Sequence, residues 1–440
     1  FRKGVYDEIA RDRDPLTRRL MKRRYVSGGI AKLSSAVSRV PVVASSTIKA
    51  DIQGRQLKVD IRLGSNTVKS FAGSSIASGG RLPAEQHTKF SELVHRGILL
   101  DAFASKAEEV VALIGDFIGQ RGRINTPGTM GEHNWTIRMP ADCTLADLIN
   151  AAKGHPSTGT ATETVERIRF VMKKSGRATL QGDFFHGTGG FVPGYRSGDA
   201  RDYGIGDNHA RKLMLEFMQL VGLNLMYELP TYESSFGESP YSIKTRLHEP
   251  TQIDVDDLLE LYPCRAAREH LDAREPVRLA ALQKRGVDYK TVREIKLPAF
   301  RQIFNEHKER ILADGDFRKF VDENRSWLEN DALYNIFNER YAHDPRIHNG
   351  WSFLAWPAEL RMRNQEALKR ELTDNADEVA YQMFLEWVYK QQNDALKKMA
   401  EAAGQQIMGD HPIAPPDSLV WQHPEAFGME APQYYSPFTQ

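Results

Sequence analysis

Apolar positions recur at helical spacing along most of this chain. After Pro83, Phe90, Leu93, Val94, Ile98 and Leu99 share one helix face. Leu213, Met214, Phe217, Leu220 and Val221 do the same between Asp207, a good N-cap residue, and Gly222, a helix stop. A helix is also expected over 145–153, and residues 255–403 read as mostly helix in segments 258–285, 292–313, 317–339 and 364–403. Pro263, Pro276 and Pro298 are expected to kink or split the first two of these segments. Strand patterning is sparser. Residues 40–70 alternate β-branched and polar positions as two or three strands, with a hairpin around Gln53-Gly54. Buried strands are expected over 108–114, over 223–229, and at Ile407-Met408, with short strand candidates at 169–172 and 178–180.

Two of these strands run into polar loops. The strand over 108–114 ends at Gly115-Asp116, and the loop after it brings an Asn, a Pro-Gly turn and a Trp (RGRINTPGTMGEHNWTIRMP, 121–140) before the next helix. Ile407-Met408 breaks at Gly409-Asp410 into a loop rich in Pro, Asp, Trp and Tyr. Parallel α/β folds bind ligands in the loops at the carboxyl ends of their strands, which makes Asp410 a better functional candidate than an average surface carboxylate, the plain alternative being a turn aspartate beside a proline. Gly187-Thr-Gly-Gly190 lacks the spacing and following helix of a phosphate cradle.

Composition narrows the function classes. The 440 residues are 41% hydrophobic and 27% charged, as in an ordinary globular protein, and a net charge of +1 offers no field for nucleic acid or an anionic membrane. The basic run at 18–24 reads as a solvated helix face. Cys143 and Cys264 stand far apart in no metal-ligand or redox spacing, so neither a disulfide framework nor a zinc site is expected and a reducing, cytoplasmic setting fits. No apolar run is long enough to span a bilayer.

Three blocks near the carboxyl end, IMGDHPI (407–413), PDSLVWQHPEAF (416–427) and APQYYSPFTQ (431–440), resemble in order the motifs of the amylomaltases, the 4-α-glucanotransferases of glycoside hydrolase family 77. Upstream, GIGDNHARKLMLEFMQLVGLNLMYELP (204–230) followed by ESPYS (238–242) resembles the amino-terminal start of that family. Tyr227-Glu228 stands where the family has Trp-Gln, and His248-Glu249-Pro250 where it has Gly-Asn-Pro. Asn125, Pro127, Gly128, Thr129, Asn134, Trp135 and Arg138 match the block that closes the family's last barrel strand. That carboxyl-terminal signature here precedes the amino-terminal one, as in a tandem of barrel pieces or a permuted or decayed barrel.

The resemblance implies an α/β fold, a partial (β/α)8 TIM barrel with large helical insertions. The implied division is 1–80 uncertain and partly β, 81–155 a C-terminal barrel segment, 156–175 a linker, and 176–440 an N-terminal barrel part with a helical insertion at about 255–403. It implies transfer of α-1,4-glucan segments between malto-oligosaccharides by retaining double displacement, with no cofactor. Tyr241, Ser239, Asp410, Gln433, Tyr434, Tyr435, Asn125 and Trp135 are the implied sugar-contact positions. The family's nucleophile lies in an Arg-Ile-Asp-like segment, and the triplets here that begin Arg-Ile lead on to Arg, Asn, Leu or His. This stretch is therefore expected to lack the catalytic carboxylates and to be inactive alone; a non-catalytic glucan-binding or scaffold module is the alternative.

Overall fold

The computed structural model describes residues 46–53, 56–63, 66–73, 84–105, 107–120, 122–126, 129, 134–177, 185–189, 194–235, 237–342, 352–412 and 414–427. An antiparallel meander comes first: β1 (Ser46–Gln53), β2 (Gln56–Leu63) and β3 (Asn66–Gly73), with Gln53 opposite Gln56 where the hairpin is expected. Then follow α1 (Ala84–Phe103), β4 (Glu109–Leu113), α2 (Ile114–Ile118), α3 (Leu145–Lys153), α4 (Gly159–Ser175) and β5 (Phe185–Gly189). Next come α5 (Asn208–Val221), β6 (Leu225–Glu228) and an antiparallel pair, β7 (Tyr232–Ser234) and β8 (Ile243–His248). A helical block follows: α6 (Val255–Leu261), α7 (Arg265–Gln283), α8 (Tyr289–Ala313), α9 (Gly315–Arg340), α10 (Ala358–Arg361), α11 (Gln365–Asp374) and α12 (Ala376–Ala402). The described chain ends through β9 (Gln406–Gly409) and α13 (Asp417–Gln422).

β4, β5, β6 and β9 form one parallel sheet in that order. Among the described residues the structure is mostly helical, and these four parallel strands do not close into a barrel. β6 and β9 are neighbours, but β5 separates β4 from β6, so the strands at 108–114 and 223–229 do not lie side by side as a simple permutation would have them. β4 also departs from the buried strand expected of it: it ends the sheet order, and Val111 is 41% exposed. Residues 159–175 are not a linker but helix α4, because Thr158 caps its start by accepting from the Ala161 amide and Val165, Ile168, Val171 and Met172 are buried along one face. The strand candidate at 169–172 lies inside that helix, and the one at 178–180 lies outside the described residues.

α5 is bounded as its sequence requires. The Asp207 carboxylate accepts from the Ala210 amide, and Gly222 takes the left-handed conformation that returns its N–H to the last turn. Pro263 separates α6 from α7, while Pro276 and Pro298 stay inside α7 and α8. The long helix expected over 364–403 breaks at Asn375 into α11 and α12.

The two motif-bearing stretches share a core. Leu145, Leu148 and Ile149 of α3 pack in one buried cluster with Met214, Leu215 and Phe217 of α5 and with Leu396 and Ala400 of α12. The other half of α12, with Phe384, Trp387 and Val388, belongs to the cluster of the helical block. A helix of this length runs about 40 Å and ties both clusters together. Arg138, from the first stretch, is buried and donates to the Leu282 carbonyl at 3.0 Å and to those of Ala281 and Lys284, satisfying acceptors at the end of α7. Gly204 gives Arg138 room: a Cβ there would lie 2.5 Å from its Nη1.

Among the described residues no helix is long and apolar enough to cross a membrane, and no three His, Cys, Asp or Glu side chains group as a metal site. Cys143 and Cys264 are buried free thiols.

Candidate functional site

Three carboxyl ends of the parallel sheet deliver loops to one place. β9 hands over to Asp410, whose amide extends the ladder by donating to the Glu228 carbonyl at 2.9 Å. From the loop between β7 and β8, Tyr241 Oη donates to Asp410 Oδ2 at 2.6 Å. The loop after β4 brings Trp135 edge-on to the Tyr241 ring, with centroids 5.7 Å apart. Burial, then the hydrogen bond to Asp410 and its charge, push the Tyr241 hydroxyl far above the ordinary phenol range. Tyr227, the last residue but one of β6, also meets the Asp410 carboxylate, and burial followed by that charge raises it too. A carboxylate flanked by phenol groups, beside the half-buried rings of Tyr241 and Trp135, offers hydrogen-bond acceptors and flat apolar faces together. That pairing suits a neutral, polyhydroxylated ligand better than an ion.

The other expected contact residues divide. Asn125 is half-buried in the Trp135 loop. Its neighbourhood is shaped by Asn134, which accepts from the Thr126 amide at 2.7 Å and donates to the Thr129 carbonyl at 2.9 Å. Ser239 works within its own turn, accepting from the Ser242 amide at 3.1 Å through its carbonyl. Gln433, Tyr434 and Tyr435 lie outside the described residues.

The profile of the 4-alpha-glucanotransferase family matches residues 66–144 and 198–436, most of the chain. The chain belongs to the 4-alpha-glucanotransferase family. It is 31% identical over 235 residues to the 4-alpha-glucanotransferase of Thermus thermophilus, covering 52% of this chain and 43% of that one. Against that of Aquifex aeolicus the figures are 29% over 239 residues, 52% and 44%. Among solved structures, the amylomaltase from Streptococcus agalactiae in complex with acarbose matches with a TM-score of 0.42 and 24% identity, over 51% of this chain and 43% of that chain. The chain thus spans less than half the length of these relatives.

Where this member departs from the 4-alpha-glucanotransferase motifs, the replacements find local partners. Glu228 forms a buried two-pronged ion pair with Arg211, at 2.6 and 2.5 Å. His248 stacks between Tyr389, at 3.9 Å, and Tyr232, at 4.8 Å, and its Nδ1 lies 2.8 Å from Glu386 Oε1. Glu249 faces Arg293 at 3.1 Å, and although burial pushes its carboxyl up, the guanidinium holds it below the usual range.

Sequence reasoning missed the residues behind the Trp135–Tyr241 wall. Tyr289 Oη donates to the Trp135 carbonyl at 2.6 Å, and Arg293 holds Glu238 with bonds of 2.6 and 2.7 Å. Both start α8, and the usable signal was their spacing of four residues, which puts them on one helix face.

Proposed function

We propose that this chain forms one side of the glucan-binding cleft of a 4-α-glucanotransferase, an enzyme moving α-1,4-glucan segments between malto-oligosaccharides by retaining double displacement. In this reading β4, β5, β6 and β9 are an arc of a (β/α)8 barrel, and their loops line the cleft. Tyr241 and Trp135 give faces to glucose rings and Asp410 accepts from sugar hydroxyls, with Asn125 beside them. The family resemblance makes Gln433, Tyr434 and Tyr435 further sugar contacts in this reading. The observation that carries the reading is the 2.6 Å bond from Tyr241 to Asp410, which joins two motifs 169 positions apart in sequence.

Retaining transglycosylation needs two carboxyl groups about 5 to 5.5 Å apart, one as nucleophile and one as acid/base. Asp410 is engaged by Tyr241, while Glu238 and Glu249 both face Arg293. In our reading none of these supplies the chemistry, and the chain binds glucan without transferring it. The test is to incubate the purified chain with maltotriose and to titrate it with maltohexaose by calorimetry. Binding without disproportionation is the expected result. Release of glucose with longer products overturns the claim of missing carboxylates, and no binding by a folded chain overturns the cleft.

A further inference from the structure

Tyr289 and Arg293 lie within the first two turns of α8 and leave the helix on the same face. They reach two different loops. Tyr289 donates to the main chain of Trp135, and Arg293 grips Glu238, three positions before Tyr241, while also touching Glu249. Both residues so held have left-handed backbone, with φ of 60° at Trp135 and 57° at Glu238. A bulky residue rarely keeps that conformation unless its surroundings impose it. At Trp135 the imposition is visible from both sides: its amide donates to the Ile124 carbonyl at 2.7 Å and its carbonyl accepts from Tyr289.

Between these contacts lies a cavity of about 50 Å³, lined by Glu238, Pro240, Glu249, Gln252, Tyr289 and Arg293 among others. A cavity of about 150 Å³ is what holds a benzene ring, so this one takes no sugar ring and is part of the wall rather than a subsite.

We propose that the start of α8 is a brace that fixes the gap between Trp135 and Tyr241, with Tyr289 and Arg293 as positioning residues acting through the two strained loops. Its effect on ligand rests on the glucan-binding reading; its effect on the wall does not. Without Tyr289's hydroxyl the Trp135 peptide is free to leave its left-handed conformation. Without Arg293 the carboxylates of Glu238 and Glu249 face each other with no cation between them, and the turn leading to Tyr241 is driven outward. Lysine at 293 keeps the charge but cannot make two parallel bonds to one carboxylate, so it restores the wall only in part.

The whole chain labelled with fluorotryptophan gives a fluorine resonance for each of its 6 tryptophans, and Trp135→Phe assigns the relevant one. Tyr289→Phe and Arg293→Met are expected to shift or broaden the Trp135 resonance while leaving the others in place. They are also expected to weaken maltohexaose binding about tenfold, the loss of one well-placed contact. Arg293→Lys falls between, and Lys290→Ala, an exposed neighbour on the same helix turn, changes neither readout. Should Arg293→Met fail to fold, Tyr289→Phe, which removes a single hydroxyl, decides alone. An unmoved Trp135 resonance in the variants that fold overturns the brace, whatever happens to binding. A resonance that moves in a protein binding no maltohexaose supports the brace and refutes the glucan reading.

Discussion

Replacing Glu228 by glutamine restores the residue type of the family motif, yet the structure requires it to destabilise this protein. Glu228 is 5% exposed and Arg211 1%. The guanidinium spends its donors on the two carboxylate oxygens, on Asn208 Oδ1 at 2.7 Å and on Asn393 Oδ1 at 3.0 Å. Burial alone lowers the affinity of Arg211 for its proton, but the Glu228 charge more than reverses this, so the arginine does not escape by neutralising. Glutamine at 228 therefore leaves a buried cation among neutral acceptors. Removing one partner of a buried pair costs about 3–5 kcal/mol. The amide oxygen still accepts one of the two bonds and both asparagines stay, which places Glu228→Gln near the lower end, at about 3 kcal/mol. Removing the cation as well should recover most of that loss, bringing Arg211→Met with Glu228→Gln to within about 1–2 kcal/mol of the parent. Equilibrium urea unfolding of the four proteins in the cycle gives the coupling energy directly. A single Glu228→Gln variant within about 1 kcal/mol of the parent, or a double variant no better than the worse single, would show that the pair is not the buried charge pair described.

Tyr241→Phe keeps the ring and removes the donor to Asp410, so it should cost about 1–2 kcal/mol of stability while weakening glucan binding less than Tyr241→Ala does. Equal losses for the two variants in calorimetric titration would mean that the ring face is not a contact. Gly204→Ala places a Cβ 2.5 Å from Arg138 Nη1 at a φ of +71°, and a loss above about 2 kcal/mol in urea unfolding is expected because Arg138 cannot move without uncapping α7. His209 Nε2 lies 2.7 Å from Asp199. Burial opposes the imidazolium, but Asp199 and the nearby Asp207 and Asp254 charges win and raise its pKa above 6.5. That contribution is present in full below pH 6.5 and fades as pH rises through the raised value, so the stability gap between wild type and His209→Gln should narrow from pH 6 to pH 9. For Asp199, whose pKa falls to about 2 despite burial because His209 and Ser197 donate to it, the contribution persists above 3.8 and is lost as pH falls toward 2. A gap that widens from pH 6 to pH 9 would refute the pairing.

What could be read from the sequence follows the range over which each feature is encoded. The bounds of α5 were legible because Asp207 and Gly222 act within one turn of themselves. Helix α4 was misread because its first turn is rich in glycine and threonine, and only tertiary burial of Thr164, Val165 and Ile168 shows that those residues face a core. β5, with the sequence FHGTG, carries no alternation of apolar residues, so nothing local announced a strand between β4 and β6. Asp410 and Tyr241 were found because each sits in a motif at a strand end or turn. Tyr289 and Arg293 were not, since an exposed pair and a pair that props two distant loops share the same four-residue spacing. The contact between Arg138 and Gly204 shows why the order of the motifs along the chain was a poor guide to their places in space. A buried guanidinium must find acceptors wherever the fold leaves them, and the free carbonyls at the end of α7 fix the first motif against the second. The stretches that the sequence presents as tail and head are held by that requirement in one packed unit, with the Trp135–Tyr241 wall built across their junction.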